Sequence, residues 1–490
     1  MMSLVISKKN WAVVLLSCLA MSQLGRAELN LPELGDESAA TLSHSQERRL
    51  GETAFRELRT QGVMLNDPEV NAYLNKLGKR LELANPDLKQ SYEFFAVNDA
   101  GINAFAMPGG YIGVNIGLIA LAQSESELAS VLAHEMAHVS QRHIARSLSA
   151  QSRNQWVSIA ALAAAIVLAR TQPQAAQASA ASAQAFALQN QLDYTREYER
   201  EADRVGMNIL RKSHFDLSAT ALFFERMQRA TRVNDNQLVP SYLRTHPINF
   251  ERIADAQSRA HEHPYKQSAD SADFHFVRAL VRSYIGDSRE TVTFFIENIK
   301  AGKYSDRNAM YYGLAAAYVR DKQFLKAAAV TDQLEKEGVQ HPMLAALAAY
   351  IRAQDGQYEA ALERYAKALT IYPEHKQLYH DYPDTLLKHK QAHAAVLFME
   401  KALTRYPNDP YLFEIAARAN ADIGKKLQSH RYLGESYRHA GNFKGAVEQF
   451  MIASKATDGD FYQSSLVEAR LRDARREYEE ARRNQTGWER

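Results

Sequence analysis

Residues 131–143 read VLAHEMAHVSQRH, with two histidines four apart and a glutamate between them. A helix brings positions i and i+4 to one face, so His134 and His138 can project their imidazoles toward one metal ion. Ser124 followed by Glu127 has the form of a capping box, which predicts that the helix begins there. Leu128, Val131, Leu132 and Val139 supply its buried stripe. Glu135, one position on, is angled so that its carboxylate meets a water held by the metal and passes the proton to a leaving amine. In a chain with 16 histidines such a match also arises by chance. A catalytic zinc needs a third protein ligand and an open position, so the fold turns on where that ligand lies.

The long metalloprotease consensus asks for glycine at 141 and histidine at 144, where this chain has Gln141 and Ile144. His143, five residues past His138, is rotated away on the same helix and is expected to be a surface histidine. The better candidate is the stretch 196–206, REYEREADRVG, in which Glu199, Ala202, Asp203 and Gly206 share one helical face. Two carboxylates a turn apart beside two small residues suit a helix packed closely on another polar helix. Glu199 can then ligate zinc while Asp203 accepts a ring N–H from a ligating histidine. Arg and Glu alternate here, so the stretch alone also reads as a solvated, salt-bridged helix. The histidine pair upstream tips the reading to a metal site.

The chain has 490 residues, 46% hydrophobic and 24% charged, enough for well-buried cores in more than one domain. A net charge of +2 gives no hint of nucleic acid as a partner. Lys8 and Lys9 precede an apolar run from Trp11 to about Leu24, closed by Gly25-Arg26-Ala27. This order predicts a secretory signal over 1–27, cleaved after Ala27, and hence a periplasmic protein. The run is shorter than the roughly 20 residues that span a bilayer. Cys18, the one cysteine, follows Leu15-Leu16-Ser17 like a loose lipoprotein site, yet apolar residues continue past it, against lipidation. Removal of the signal leaves no cysteine, which excludes a disulfide scaffold, a thiolate zinc site and a cysteine protease.

Residues 28–60 are polar and predict an extended arm and a helix. Tyr92–Val97 reads as a strand, and 103–106 and 111–114 as a hairpin bent by Pro108-Gly109-Gly110. Residues 146–190 combine an apolar stretch, Trp156 to Ala169, with Ala/Ser/Gln low complexity. The plain expectation is a flexible excursion. The sharper one is a mobile lid, or a surface that touches membranes or greasy substrates. From about 270, Ala327, Ala361 and Ala395 recur every 34 residues, as do Ala368 and Ala402, and Pro373 and Pro407. A later copy (Gly434, Tyr437, Phe443, Ala446, Phe450, Ala453) is displaced by 51 residues from Ala395, leaving room for an irregular extra helix. This resembles the tetratricopeptide repeat, whose helix pairs build a concave binding groove.

HEMAH at 134–138 with EREAD at 199–203 is similar to the gluzincin metallopeptidases typified by the CAAX prenyl protease and the heat-shock protease HtpX. The stretch NAFAMPGGYIGVNIGL, 103–118, resembles the segment before the zinc helix in that family, where an edge strand holds substrate. The resemblance implies one Zn2+ per chain on His134, His138 and Glu199, with Glu135 catalytic, Asp203 supporting a ligand, and Asn103, Ala104 and Phe105 binding substrate. Glu201 is an alternative ligand whose spacing fits less well. The fold expected is mainly α. A zincin-like metallopeptidase domain with a small β-sheet covers 28–265, and an α-solenoid of tetratricopeptide repeats covers 270–485. An exported peptidase joined to such repeats resembles the β-barrel assembly-enhancing proteases as a group. That implies quality control of outer-membrane β-barrel proteins, with the barrel-assembly complex as partner. Stalled barrels, the lipopolysaccharide-transport barrel among them, would be substrates. The rival expectation is a chaperone or adaptor whose repeats do the main work. His246, stiffened by Pro247, is expected either to gate the metal as a fourth ligand or, like Arg244, to stabilise the oxyanion. A local packing role for His246 is the third alternative.

Overall fold

The structure, a computed structural model, describes residues 42–88, 90–149, 196–233 and 241–486. The expected signal at 1–27 and residues 150–190 of the lid-like segment lie outside the described residues.

Helix α1 (His44–Thr60) starts on a complete capping box between Ser43 and Gln46. Helix α2 (Pro68–Leu83) starts on Asp67 with proline at its first position, where a missing N–H costs nothing. Strands β1 (Glu93–Val97), β2 (Ala104–Ala106) and β3 (Tyr111–Asn115) form one sheet in the order β1-β3-β2. β1 runs parallel to β3, and β2 antiparallel to it, with Phe105 opposite Gly113. The hairpin expected from the sequence is present, and its turn needs Gly109 and Gly110 at φ of 75° and 92°. β2 lies at one edge of the sheet and β1 at the other.

After the short helix α3 (Ile116–Leu121), the central helix α4 (Glu125–Ser140) is buried along nearly its whole length. Leu128, Leu132 and Met136 have no exposed surface, because α2, the sheet and later helices cover α4 from several sides. Its cap differs from the expected box. The Ser124 hydroxyl accepts from the Glu127 N–H at 3.1 Å, but the Glu127 carboxylate accepts from the N–H of Gln123, not Ser124, at 2.8 Å. Arg142 adopts a left-handed φ of 54° and turns the chain into α5 (His143–Ser149).

Helices α6 (Arg196–Lys212), α7 (Ser218–Val233), α8 (Ser241–Thr245) and α9 (Phe250–His261) complete the domain around α4. Residues 264–271 then run without helix to the helix pairs that begin at Ala272. The apolar core does not stop there: Phe274, Phe276 and Val277 of the first pair belong to the same buried cluster as Leu128 and Leu132.

The 34-residue alanines are the contact points of the helix pairs. Ala361, Ala395 and Ala402 have no exposed surface and Ala368 has 3%, so the helices meet at small side chains. Between the helices Ala392–Arg405 and Phe443–Ala453 stand two others, Pro410–Asp422 and Lys426–His439, where the period has one. The extra helix expected from the 51-residue offset is therefore present, and it is as regular as its neighbours. The array returns to the first domain along its course. Asp273 meets Lys76 at 2.6 Å, the Tyr284 hydroxyl donates to Asp67 at 2.6 Å, and His375 reaches Glu69 at 2.7 Å. Near its end, Arg56 of α1 lies 5.2 Å over the Phe443 ring and Arg59 donates to the His439 carbonyl at 3.4 Å.

Candidate metal centre

The helical period places His134 and His138 on the face of α4 turned to α6, and their Nε2 atoms stand 3.0 Å apart. Glu199 projects from α6 between them, its oxygens 3.5 Å from His134 Nε2 and 3.4 Å from His138 Nε2. His246, just past α8, brings Nδ1 to 2.9 Å from Glu199 and 3.4 Å from His134 Nε2. All four side chains are buried, and one ligand atom from each lies within 4.8 Å of the others. Close approach of the helices depends on Ala202 and Gly206, both buried on the same α6 face as Glu199 and Asp203.

A shell of hydrogen bonds orients these groups. Asp203 Oδ1 lies 3.0 Å from His134 Nδ1, which leaves Nε2 to face the centre. Arg252 of α9 grips Asp203 in a two-pronged contact at 2.7 and 2.8 Å and reaches Glu199 at 2.8 Å. On the other side, the His143 and His138 Nδ1 atoms are 2.8 Å apart, and His143 Nε2 is 3.2 Å from Glu201. His143 stacks on Tyr198, with ring centroids 4.7 Å apart. The surface position expected for His143 is thus incorrect. The turn at Arg142 reverses the chain, so His143 does not continue the α4 spiral and is fully buried against His138. Glu201 stands outside the cluster, held by His143 and by Arg146 at 2.8 Å. Neither Arg252 nor His143 was singled out from the sequence for this shell. A His-Glu-x-x-His motif followed by a further histidine is the one local signal that pointed to His143.

The electrostatics favour a cation at the centre. Burial raises the Glu199 carboxyl, but His246, His134 and His138 outweigh it and hold it well below the usual range. Asp203 is likewise held down, by Arg252 and His134 against burial. Burial disfavours charge on His134, yet Asp203 and Glu199 hold its pKa up to about 10. His138 goes the other way, pushed well down by burial, so its ring is neutral and has a lone pair to offer. One ionised carboxylate and three imidazoles converging in a dry site form a donor set suited to a metal ion. Glu135 is fully buried beside the cluster, 3.4 Å from His246 Nε2. Burial raises its pKa, partly offset by His246 and His134.

The edge strand runs past this glutamate. The Asn115 N–H donates to the Asn103 carbonyl at 2.9 Å, and the Met107 N–H to the Tyr111 carbonyl at 2.8 Å. Antiparallel alternation then turns the N–H and C=O of Ala104 and Ala106 away from β3, with Ala104 fully buried and Ala106 half-buried. Of the three residues expected to hold substrate, Ala104 turns its main chain away from β3 but is fully buried, while Asn103 and Phe105 pair toward β3. Ala106 was not anticipated.

Residues 61–260 match the model of peptidase family M48. The chain is 34% identical over 449 residues to the putative beta-barrel assembly-enhancing protease of Vibrio cholerae, covering 91% of each. It is 28% identical over 469 residues to the beta-barrel assembly-enhancing protease of Escherichia coli K12, covering 95% of this chain and 96% of that one. Mitochondrial metalloendopeptidase OMA1 of Schizosaccharomyces pombe is 27% identical over 213 residues, 42% of this chain and 59% of its own. The chain belongs to peptidase family M48, within its group of beta-barrel assembly-enhancing proteases, and is a metalloendopeptidase.

Proposed function

We propose that the protein is a periplasmic zinc endopeptidase that degrades misassembled outer-membrane β-barrel proteins, the lipopolysaccharide-transport barrel among them. The barrel-assembly complex is the partner of its repeats. The observation that carries the chemistry is the convergence of His134, His138, Glu199 and His246 in one buried cluster beside Glu135. In this reading His134, His138 and Glu199 hold the metal, which supplies Lewis acidity for the scissile carbonyl. Glu135 takes the proton of the attacking water and delivers it to the leaving amine, and a raised pKa suits both halves of that task. Asp203, itself clamped by Arg252, keeps the His134 ring turned inward. Substrate pairs as an added strand with the edge formed by Ala104 and Ala106, close to where Glu135 acts. Unpaired strands of a stalled barrel are suited to such an edge.

The contacts of His246 with both Glu199 and Glu135 favour the gate over the oxyanion role. The rival reading, a chaperone or adaptor, draws on the long repeat array. Glu135→Gln separates the two. It is expected to keep the fold and the zinc, to lose peptide cleavage, and to fail to restore outer-membrane integrity in cells lacking the protein. Full restoration by that variant would make binding the main function.

A further inference from the structure

Away from the metal centre, a cavity of about 420 Å³ opens between α3 and the first repeat helices, lined by Arg278, Arg282, Phe294, Asn298 and Ser305. Ala120 and Gln123, which lead into α4, close one wall. Arg278 and Arg282 are one turn apart on the helix Ala272–Tyr284 and line the cavity together. The Arg282 guanidinium lies 4.0 Å from the centroid of the Phe294 ring and donates to the Ile285 carbonyl at 3.3 Å. Arg278 donates to the Ala120 carbonyl at 3.4 Å and to the Ser305 hydroxyl at 3.3 Å.

Neither arginine forms an ion pair among the described residues. Glu127 and Asp270 lie near Arg278 but are engaged elsewhere, Glu127 with Arg226 at 2.6 Å and Asp270 with the Glu125 N–H at 2.7 Å, and Asp306 caps the next helix through the Ala309 N–H at 2.7 Å. Burial holds both guanidinium groups below their ordinary pKa, and at Arg282 no carboxylate offsets it. A half-buried cation without a counter-ion, as at Arg282, is costly to maintain for folding alone. The guanidinium fork matches a carboxylate in two-pronged geometry. The volume is near the low end of the roughly 300–1,000 Å³ of ligand sites, which suits a chain end better than a chain passing through. Apolar surface from Phe294, Ala279 and Met310 lies beside the charge.

We propose that this cavity binds the free C-terminal carboxylate of an unfolded polypeptide through Arg278 and Arg282, with the last apolar side chain against Phe294. It would anchor a substrate on the domain junction, apart from the cleavage site, and it does not depend on the metal centre.

The test uses the full chain carrying Glu135→Gln, so that the probe survives, and a short labelled peptide ending in phenylalanine, followed by fluorescence anisotropy. The free-acid peptide is expected to bind, and its C-terminal amide to bind at least about tenfold more weakly, the loss of a charge-assisted contact. Arg282→Gln and Arg278→Gln are each expected to weaken the free acid by a similar factor without moving the circular-dichroism melt. Should either glutamine variant fold poorly, Arg282→Lys keeps the charge, loses the fork, and is expected to bind more weakly than the unsubstituted arginine. Equal binding of acid and amide would overturn the proposal, as would unchanged binding by the folded variants. Equal binding of an amidated peptide with an internal aspartate, or equal displacement by inorganic phosphate, would show a general anion pocket and overturn the chain-end assignment.

Discussion

Gly206 of α6 lies against the main chain of His134 in α4: a Cβ at position 206 would come within 3.1 Å of the His134 Cα and N. The distance between the two metal-bearing helices is therefore set by a missing side chain. Gly206→Val is expected to destabilise the protein by about 1–3 kcal/mol, the usual result of overpacking. It should also lower bound zinc by moving Glu199 away from the histidines. Thermal unfolding and metal content of the purified protein check this, and an unchanged metal content would count against the account.

Asp203 touches His134 Nδ1 and is itself held by Arg252. Asp203→Asn leaves the size of the side chain but removes the charge that orients the ring. Zinc affinity, measured by competition with a chelator, is expected to fall about 10–100-fold. An affinity equal to that of the parent would remove Asp203 from the site.

His246 lies between Glu199 and Glu135. If it closes the site, His246→Ala raises the rate of cleavage of an unfolded substrate. Unchanged or lower activity would speak for packing or for oxyanion stabilisation instead.

The repeats carry their own pH signature. Asp409, nearly buried, caps the helix Pro410–Asp422 and pairs with Lys376 at 2.7 Å and His380 at 3.0 Å. Burial raises its pKa, but His380 and Lys376 outweigh that and hold it well below the usual range. A depressed folded pKa means stability that is full above the unfolded value of about 3.9 and is lost as pH falls through the folded value. Asp409→Asn keeps a cap but loses the charge. It is expected to cost roughly 1–3 kcal/mol near pH 7, a deficit that shrinks below about pH 4. A deficit that stays constant across that range would assign the effect to packing.

The legible part of the site was the part that helix geometry determines. His134 and His138, or Glu199 and Asp203, share a face by spacing alone, and the approach of the two helices shows in Ala202 and Gly206. The repeats were legible for the same reason, since Ala361 and Ala395 mark helix crossings wherever they stand. His143 was misplaced because one residue, Arg142, leaves the helical conformation, and spacing cannot register a reversal. Arg252 was missed because it arrives from α9 by tertiary docking, with no pattern of its own. The edge-facing role of Ala106 depends on register within the sheet, which a strand of three residues leaves open in sequence.

The repeat array is fastened to the peptidase domain near its start, its middle and its end, through Asp273, His375 and Phe443. Such an array is a brace, not a tether. A load placed on the helix pairs is therefore passed directly to α1 and α2, which move with the array as one piece.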